Sequence, residues 1–194
     1  MFVRSFLFIF LLLAAPLFSS HSGGKDSVLI PLSVGNMWVY EVTEYSDSFE
    51  VMKTYYDTVS IVKDTSIMGD HWFYQLTSSN GNYTMVTNFE GGVYWMFADK
   101  SFKAQSDPFL AFAYPSPAGQ QYTFANFTAE VADTALLAST PFGQKECYLY
   151  VLSNPESPVT VEFIISPGVG VLSIVRKQND QIMVTTQLAG MKLI

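Results

Sequence analysis

The chain predicts an all-β fold: a single antiparallel domain curling into a curved sheet, half-barrel or barrel, with a sandwich as the alternative. Three observations predict it. Short runs rich in Val, Ile, Thr, Tyr, Phe and Trp recur from residue 37 to residue 188. Gly, Asn, Asp and Pro separate them, as turn residues separate strands. Beyond the first two dozen residues no long run places apolar side chains three and four apart, the spacing an amphipathic helix needs.

In chain order the expected strands are Met37–Tyr45, Phe49–Val62, His71–Ser78, Tyr83–Phe89, Val93–Phe97, Gln121–Phe127, Cys147–Leu152, Val159–Ile165, Val171–Gln178 and Gln181–Leu188. Phe109–Tyr114 and Glu130–Ala138 read equally as strand or as a short helical turn. Ala98 to Pro108 reads as a long loop, and Pro155 and Pro158 mark a turn because proline cannot donate to a ladder.

Two hairpins follow from their turns. Asn80-Gly81 supplies the positive φ of a two-residue type I′ turn, which would pair Leu76 with Met85, Tyr74 with Thr87 and Trp72 with Phe89. That face reads as core. The opposite face, with Phe73, Gln75, Thr77, Thr84, Val86 and Asn88, reads as mostly wet. Asn179-Asp180 turns the second hairpin and would pair Val175 with Val184 and Val171 with Leu188.

The first residues read as a leader, not as fold. Arg4 is followed by an apolar run from Phe6 to Phe18 and then by small polar residues, the layout of a secretory signal peptide. The run is short of the roughly 20 apolar residues of a membrane span, so no stable span is expected after processing. A signal peptide over 1–22 leaves a β domain over 23–194, with no cysteine near the junction to carry a lipid. The expected location is outside the cytoplasm: periplasmic, cell-surface or secreted.

With Arg4 removed, nine basic residues face 17 acidic ones, a net charge of −8. An acidic chain without a basic cluster is a poor partner for nucleic acid, which binds through Lys and Arg. Cys147 is the single cysteine, so no internal disulfide can form, and within CYLYVL it reads as a buried strand residue.

Catalytic motifs are weak throughout. His71 is the one histidine after the leader: alone, without Cys or clustered Asp/Glu, it cannot build a usual zinc site. It is also the only base a serine hydrolase could use, with no G-x-S-x-G elbow to present the nucleophile. No metal and no cofactor is expected. Glu41, Glu44, Asp57 and Asp64 could supply a two-carboxylate hydrolase, but acidic residues on the wet face of a sheet explain them more simply.

Turns carry structural meaning of their own. Gly35-Asn36 launches the first strand, and Pro167-Gly168 fits positions i+1 and i+2 of a type II turn. Gly170 then marks a bulge or a close backbone approach.

The segment PLSVGNMWVYEV, from Pro31 to Val42, resembles the opening of a group of exported bacterial proteins with a β-rich domain of unknown function. FGQKECYLY, followed by FIISPGVGVLSIV, is similar to the second half of that group. The resemblance implies location and fold and brings no activity with it.

The functional expectation is a non-enzymatic binding or envelope-associated domain, holding an apolar or lipid-like molecule on a concave aromatic face. Trp38, Trp72, Tyr74, Phe89 and Trp95 are the candidate ligand-binding residues. A structural or protein-interaction domain with a filled core, whose partner would be an envelope protein, is the second class, and the carboxylate hydrolase is the third.

Overall fold

The computed structural model describes residues 28–194 apart from 68, 79, 80, 102, 125 and 126. The leader therefore lies outside the described residues, as does Asn80.

Among the described residues twelve strands form one antiparallel sheet. They are β1 (Met37–Tyr45), β2 (Val51–Ile67), β3 (Asp70–Thr77), β4 (Asn82–Phe89), β5 (Gly92–Ala98) and β6 (Phe109–Ala113), then β7 (Gln121–Phe124), β8 (Phe127–Thr140), β9 (Gly143–Ser153), β10 (Val159–Ser166), β11 (Gly170–Gln178) and β12 (Gln181–Lys192). The order is β6-β5-β4-β3-β2-β1-β12-β11-β10-β9-β8-β7, so sequence neighbours pair throughout and the first strand closes onto the last. Both ambiguous segments are strands, β6 and β8.

The sheet curls into a nearly closed barrel. β6 and β7 are its two edges, and side chains join them where no ladder does. Tyr122 on β7 donates its hydroxyl to the Ala111 carbonyl of β6 at 2.9 Å, and Tyr150 on β9 donates to the Ala113 carbonyl at 2.9 Å. Phe109 and Phe124 meet edge to face across the same seam, with centroids 5.3 Å apart. Burial drives the Tyr150 hydroxyl well above the usual phenol range and pushes Tyr122 up to about 12, so both are neutral donors.

Trp38, Tyr40 and Val42 on β1 point inward and are buried. Cross-strand pairing carries that inner face around the sheet: Trp38 with Val59, Tyr40 with Asp57 and Val42 with Tyr55 on β2. Farther round, Val86 pairs with Trp95 and Val93 with Phe112. Phe112 reaches across the interior to Tyr150 and Phe163, at 5.1 and 5.2 Å between centroids.

One end of the barrel has a floor. Leu29 and Ile30 are buried in the main core, and the segment leading into β1 is pinned from three sides. Gly168 N–H donates to the Val28 carbonyl, Asn88 Nδ2 to Ile30 and Asn36 Nδ2 to Pro31. Asn36 is itself buried, and its Oδ1 accepts the N–H of Ile194 at 2.8 Å, tying the start of the barrel to its end.

The turn at Pro167-Gly168 belongs to the same floor. Val169 N–H donates to the Ser166 carbonyl, and Gly168 has φ +74°, which suits glycine. Trp38 Nε1 caps the turn from inside, donating to the Val169 carbonyl at 2.7 Å. A Cβ on Gly170 would stand 3.3 Å from that indole nitrogen, the close approach expected of this glycine.

Two registers differ from expectation. Thr77 pairs with Asn82 and Gly81 N–H donates to the Thr77 carbonyl, so the β3–β4 loop has four residues, not two. Tyr74 therefore faces Met85 and Leu76 faces Tyr83, two positions away from the expected pairing. In the second hairpin Asn179 and Asp180 do form a two-residue turn, at φ 51° and 61°. The register then shifts by one between Arg176 and Lys177, where Met183 of β12 is the extra residue, pairing Arg176 with Val184 and Ser173 with Gln187.

The seam yields a test. Tyr150→Phe keeps the ring contacts with Phe112 but leaves the buried Ala113 carbonyl without its donor, which should cost about 1–3 kcal/mol in equilibrium denaturation. An unchanged midpoint would mean that this hydroxyl does not hold the edge.

Candidate functional site

The interior is filled toward the floor and hollow toward the other end. A cavity of about 390 Å³ opens near the β1–β2, β3–β4 and β11–β12 turns, in the usual size range of small-molecule sites. Tyr40, Val42, Val59, Phe163, Ile174 and Val184 supply its apolar wall. Asp57, Gln75, Thr77, Thr84 and Thr186 supply a polar one.

Local sequence explains each placement. Tyr40 and Val42 alternate with the outward Glu41 on β1, whose carboxylate accepts a hydrogen bond from the Tyr56 hydroxyl on the outer surface. The Tyr40 hydroxyl donates to the Val171 carbonyl at 3.1 Å, and full burial raises its pKa far above the ordinary value. Tyr55 is also raised, chiefly by desolvation and then by its hydrogen bond to Glu44 nearer the mouth. Asp57 Oδ1 accepts the Thr58 N–H and the Ser78 hydroxyl, each at 2.8 Å, which fixes the carboxylate in the wall.

Trp95 completes that wall. Its ring meets Phe112 and Phe124 edge to face, at 5.4 and 5.9 Å, while its buried Nε1 has no hydrogen-bond partner among the described residues. An unsatisfied buried donor costs about 1–3 kcal/mol, and such a group in a cavity wall is one a ligand can relieve by a small ring movement.

The five expected ligand residues do not converge. Trp38 is inside but belongs to the floor, where its N–H is committed to Val169. Trp95 is inside and lines the cavity. Trp72 and Tyr74 lie on the outer face, in a separate buried cluster with Met85 and Met96, with Lys63 over the Tyr74 ring. Phe89 is 56% exposed and touches Tyr94 edge to face. The face expected to be core is therefore the barrel's exterior, and the face expected to be wet carries Phe73 and Val86 into the main core.

Periodicity assigns two faces without saying which is inside, and here polarity misleads. Gln75, Thr77 and Thr84 are polar because they line a cavity, not because they meet bulk solvent. A bulge between Ile61 and Lys63 adds to the confusion by switching the alternation of β2. The sequence signal that could have located the site was Asp57 and Tyr55 alternating in step with Val59 opposite the aromatics of β1.

The other reactive candidates stand apart. His71 pairs with Asp64 at 2.8 Å on the exposed surface and stacks on Phe73. Among the described residues no three His, Cys, Asp or Glu gather as a metal site. Cys147 is buried, and burial raises its thiol above the usual value.

No protein-family model matches the chain, and no curated protein matches it. Its structure is similar to that of a protein from Bacteroides fragilis described as exported and as having a YmcC-like fold. The TM-score is 0.53 at 12% identity, over 86% of this chain and 100% of that one. The likeness is one of fold. A protein from Parabacteroides distasonis described as a lipoprotein aligns with a TM-score of 0.41 at 13% identity, over 87% of this chain and 100% of that one.

A buried thiol with a raised pKa is a poor nucleophile. Cys147 should resist a maleimide in the native protein and label fully once denaturant is added. Rapid native labelling would contradict its placement.

Proposed function

We propose that this chain is an exported, envelope-associated binding domain whose barrel interior holds an apolar or lipid-like small molecule. The leader read from the sequence and a fold shared with a protein described as exported support the location. The binding role rests on one observation: a cavity of about 390 Å³ with an apolar wall and a smaller polar one in which Asp57 is held in place.

The arrangement suits uptake, not chemistry. The inward aromatic and aliphatic groups offer surface from which a ligand displaces water, and each methylene so buried contributes about 0.8 kcal/mol, about fourfold in affinity. Binding should remain reversible, because the Tyr40 phenol is neutral and Cys147 lies outside the cavity lining. A structural domain with a filled core is the reading favoured by the packing of Phe112, Tyr150 and Phe163, which fills the floor end.

Titration with straight-chain alcohols from hexanol to dodecanol distinguishes the two. Affinity should tighten about fourfold per methylene until the cavity is full, and tryptophan emission should shift through Trp95. Val184→Phe narrows the cavity and should abolish binding without loss of the fold, while Trp72→Phe on the outer face should leave affinity unchanged. If no alcohol binds by native mass spectrometry or emission, the carrier reading is wrong.

A further inference from the structure

We propose that the cavity selects an amphiphile whose polar end is an uncharged hydroxylated group, such as an acylglycerol head, and discriminates against a free carboxylate. This rests on the carrier reading above and assigns the chemistry of the ligand's head.

Asp57 is the decisive residue. Among the described residues lining the cavity it alone is acidic or basic. It sits on the inner face opposite Tyr40, and the Thr58 N–H and the Ser78 hydroxyl hold its Oδ1 in place. An ionised carboxylate accepts hydrogen bonds and donates none, so it rewards a ligand that donates. Gln75, Thr77, Thr84 and Thr186 share the wall, and each can both donate and accept. A hydroxyl does the same, so one hydroxylated head can donate to Asp57 and accept from its neighbours, or from the unpartnered Trp95 Nε1.

A carboxylate head meets the opposite circumstances. It cannot donate, and in the half-buried wall it would face Asp57 where water screens the repulsion poorly. Among the described residues no lysine or arginine lines the cavity to offset it. Lys53 and Arg176 stand on inward strand positions nearer the mouth, and both are exposed. Lys53 lies over the Tyr55 ring, with its Nζ 4.3 Å from the centroid. The net negative charge of the chain adds a long-range bias of the same sign.

The test compares monolaurin with laurate at pH 8, matched in chain length and differing in head. Monolaurin should bind the wild-type protein about tenfold or more tighter than laurate, the effect of one poorly screened like-charge contact. Asp57→Asn keeps an oxygen acceptor for Thr58 and Ser78 while removing the charge, and should narrow the gap to about twofold by raising laurate affinity. Thr77→Lys, which places a cation in the wall and leaves Asp57 intact, should also raise laurate affinity; this second variant keeps the test valid if Asp57→Asn fails to fold. Laurate binding as tightly as monolaurin, or a gap untouched by both variants, would overturn the head-group assignment and leave the carrier reading standing. Binding of neither amphiphile would overturn both.

Discussion

A single twelve-stranded sheet, with no second layer over it among the described residues, buries its inner face by curling until its edges meet. Here they meet without a backbone ladder. β6 is therefore an edge strand whose carbonyls need other partners. Two tyrosine hydroxyls provide them, from Tyr122 and Tyr150, at Ala111 and Ala113. Both hydroxyls are kept protonated by burial, so the donors persist at any physiological pH. The rings that carry them are part of the core, which couples closure of the seam to filling of the interior.

That closure sets the size of what lies inside. Barrel diameter grows with strand number, and about eight strands already make an interior just wide enough for side chains to fill. Twelve strands leave more room than ordinary side chains occupy. At the floor the chain fills it with Phe112, Tyr150, Phe163 and Trp38, and adds Leu29 and Ile30 from the segment before β1. Toward the mouth the inward positions carry smaller or polar groups, Val42, Val184, Thr84 and Thr186, and the space remains. The cavity is thus a consequence of strand number and of where the large residues are spent.

Much of the fold was legible in the sequence. Met37–Tyr45 is bounded as expected, and Asn179-Asp180 turns as expected because two consecutive residues at positive φ define that hairpin. Asn80-Gly81 was misleading, since its loop has four residues and the ladder sits two positions away. The bulges in β2, β12 and β11 were invisible, because a bulge is an accommodation to curvature that no local residue type dictates. The site was less legible than the fold. Alternation identified the two faces of β3 and β4, but choosing the inside by hydrophobicity placed Trp72 and Tyr74 in the cup when they belong to the exterior. A hollow barrel inverts the usual rule, because part of its inner face is wet.

A carrier needs an inner face that borders open space molecules can reach, and here that face lies near the mouth. Thr186→Cys in a Cys147→Ala background places a single thiol on that wall, away from the seam and the floor. A small maleimide should label it in the native protein without denaturant, and dodecanol should slow the reaction. Labelling only after unfolding, at the rate of a buried core thiol, would contradict an open inner face.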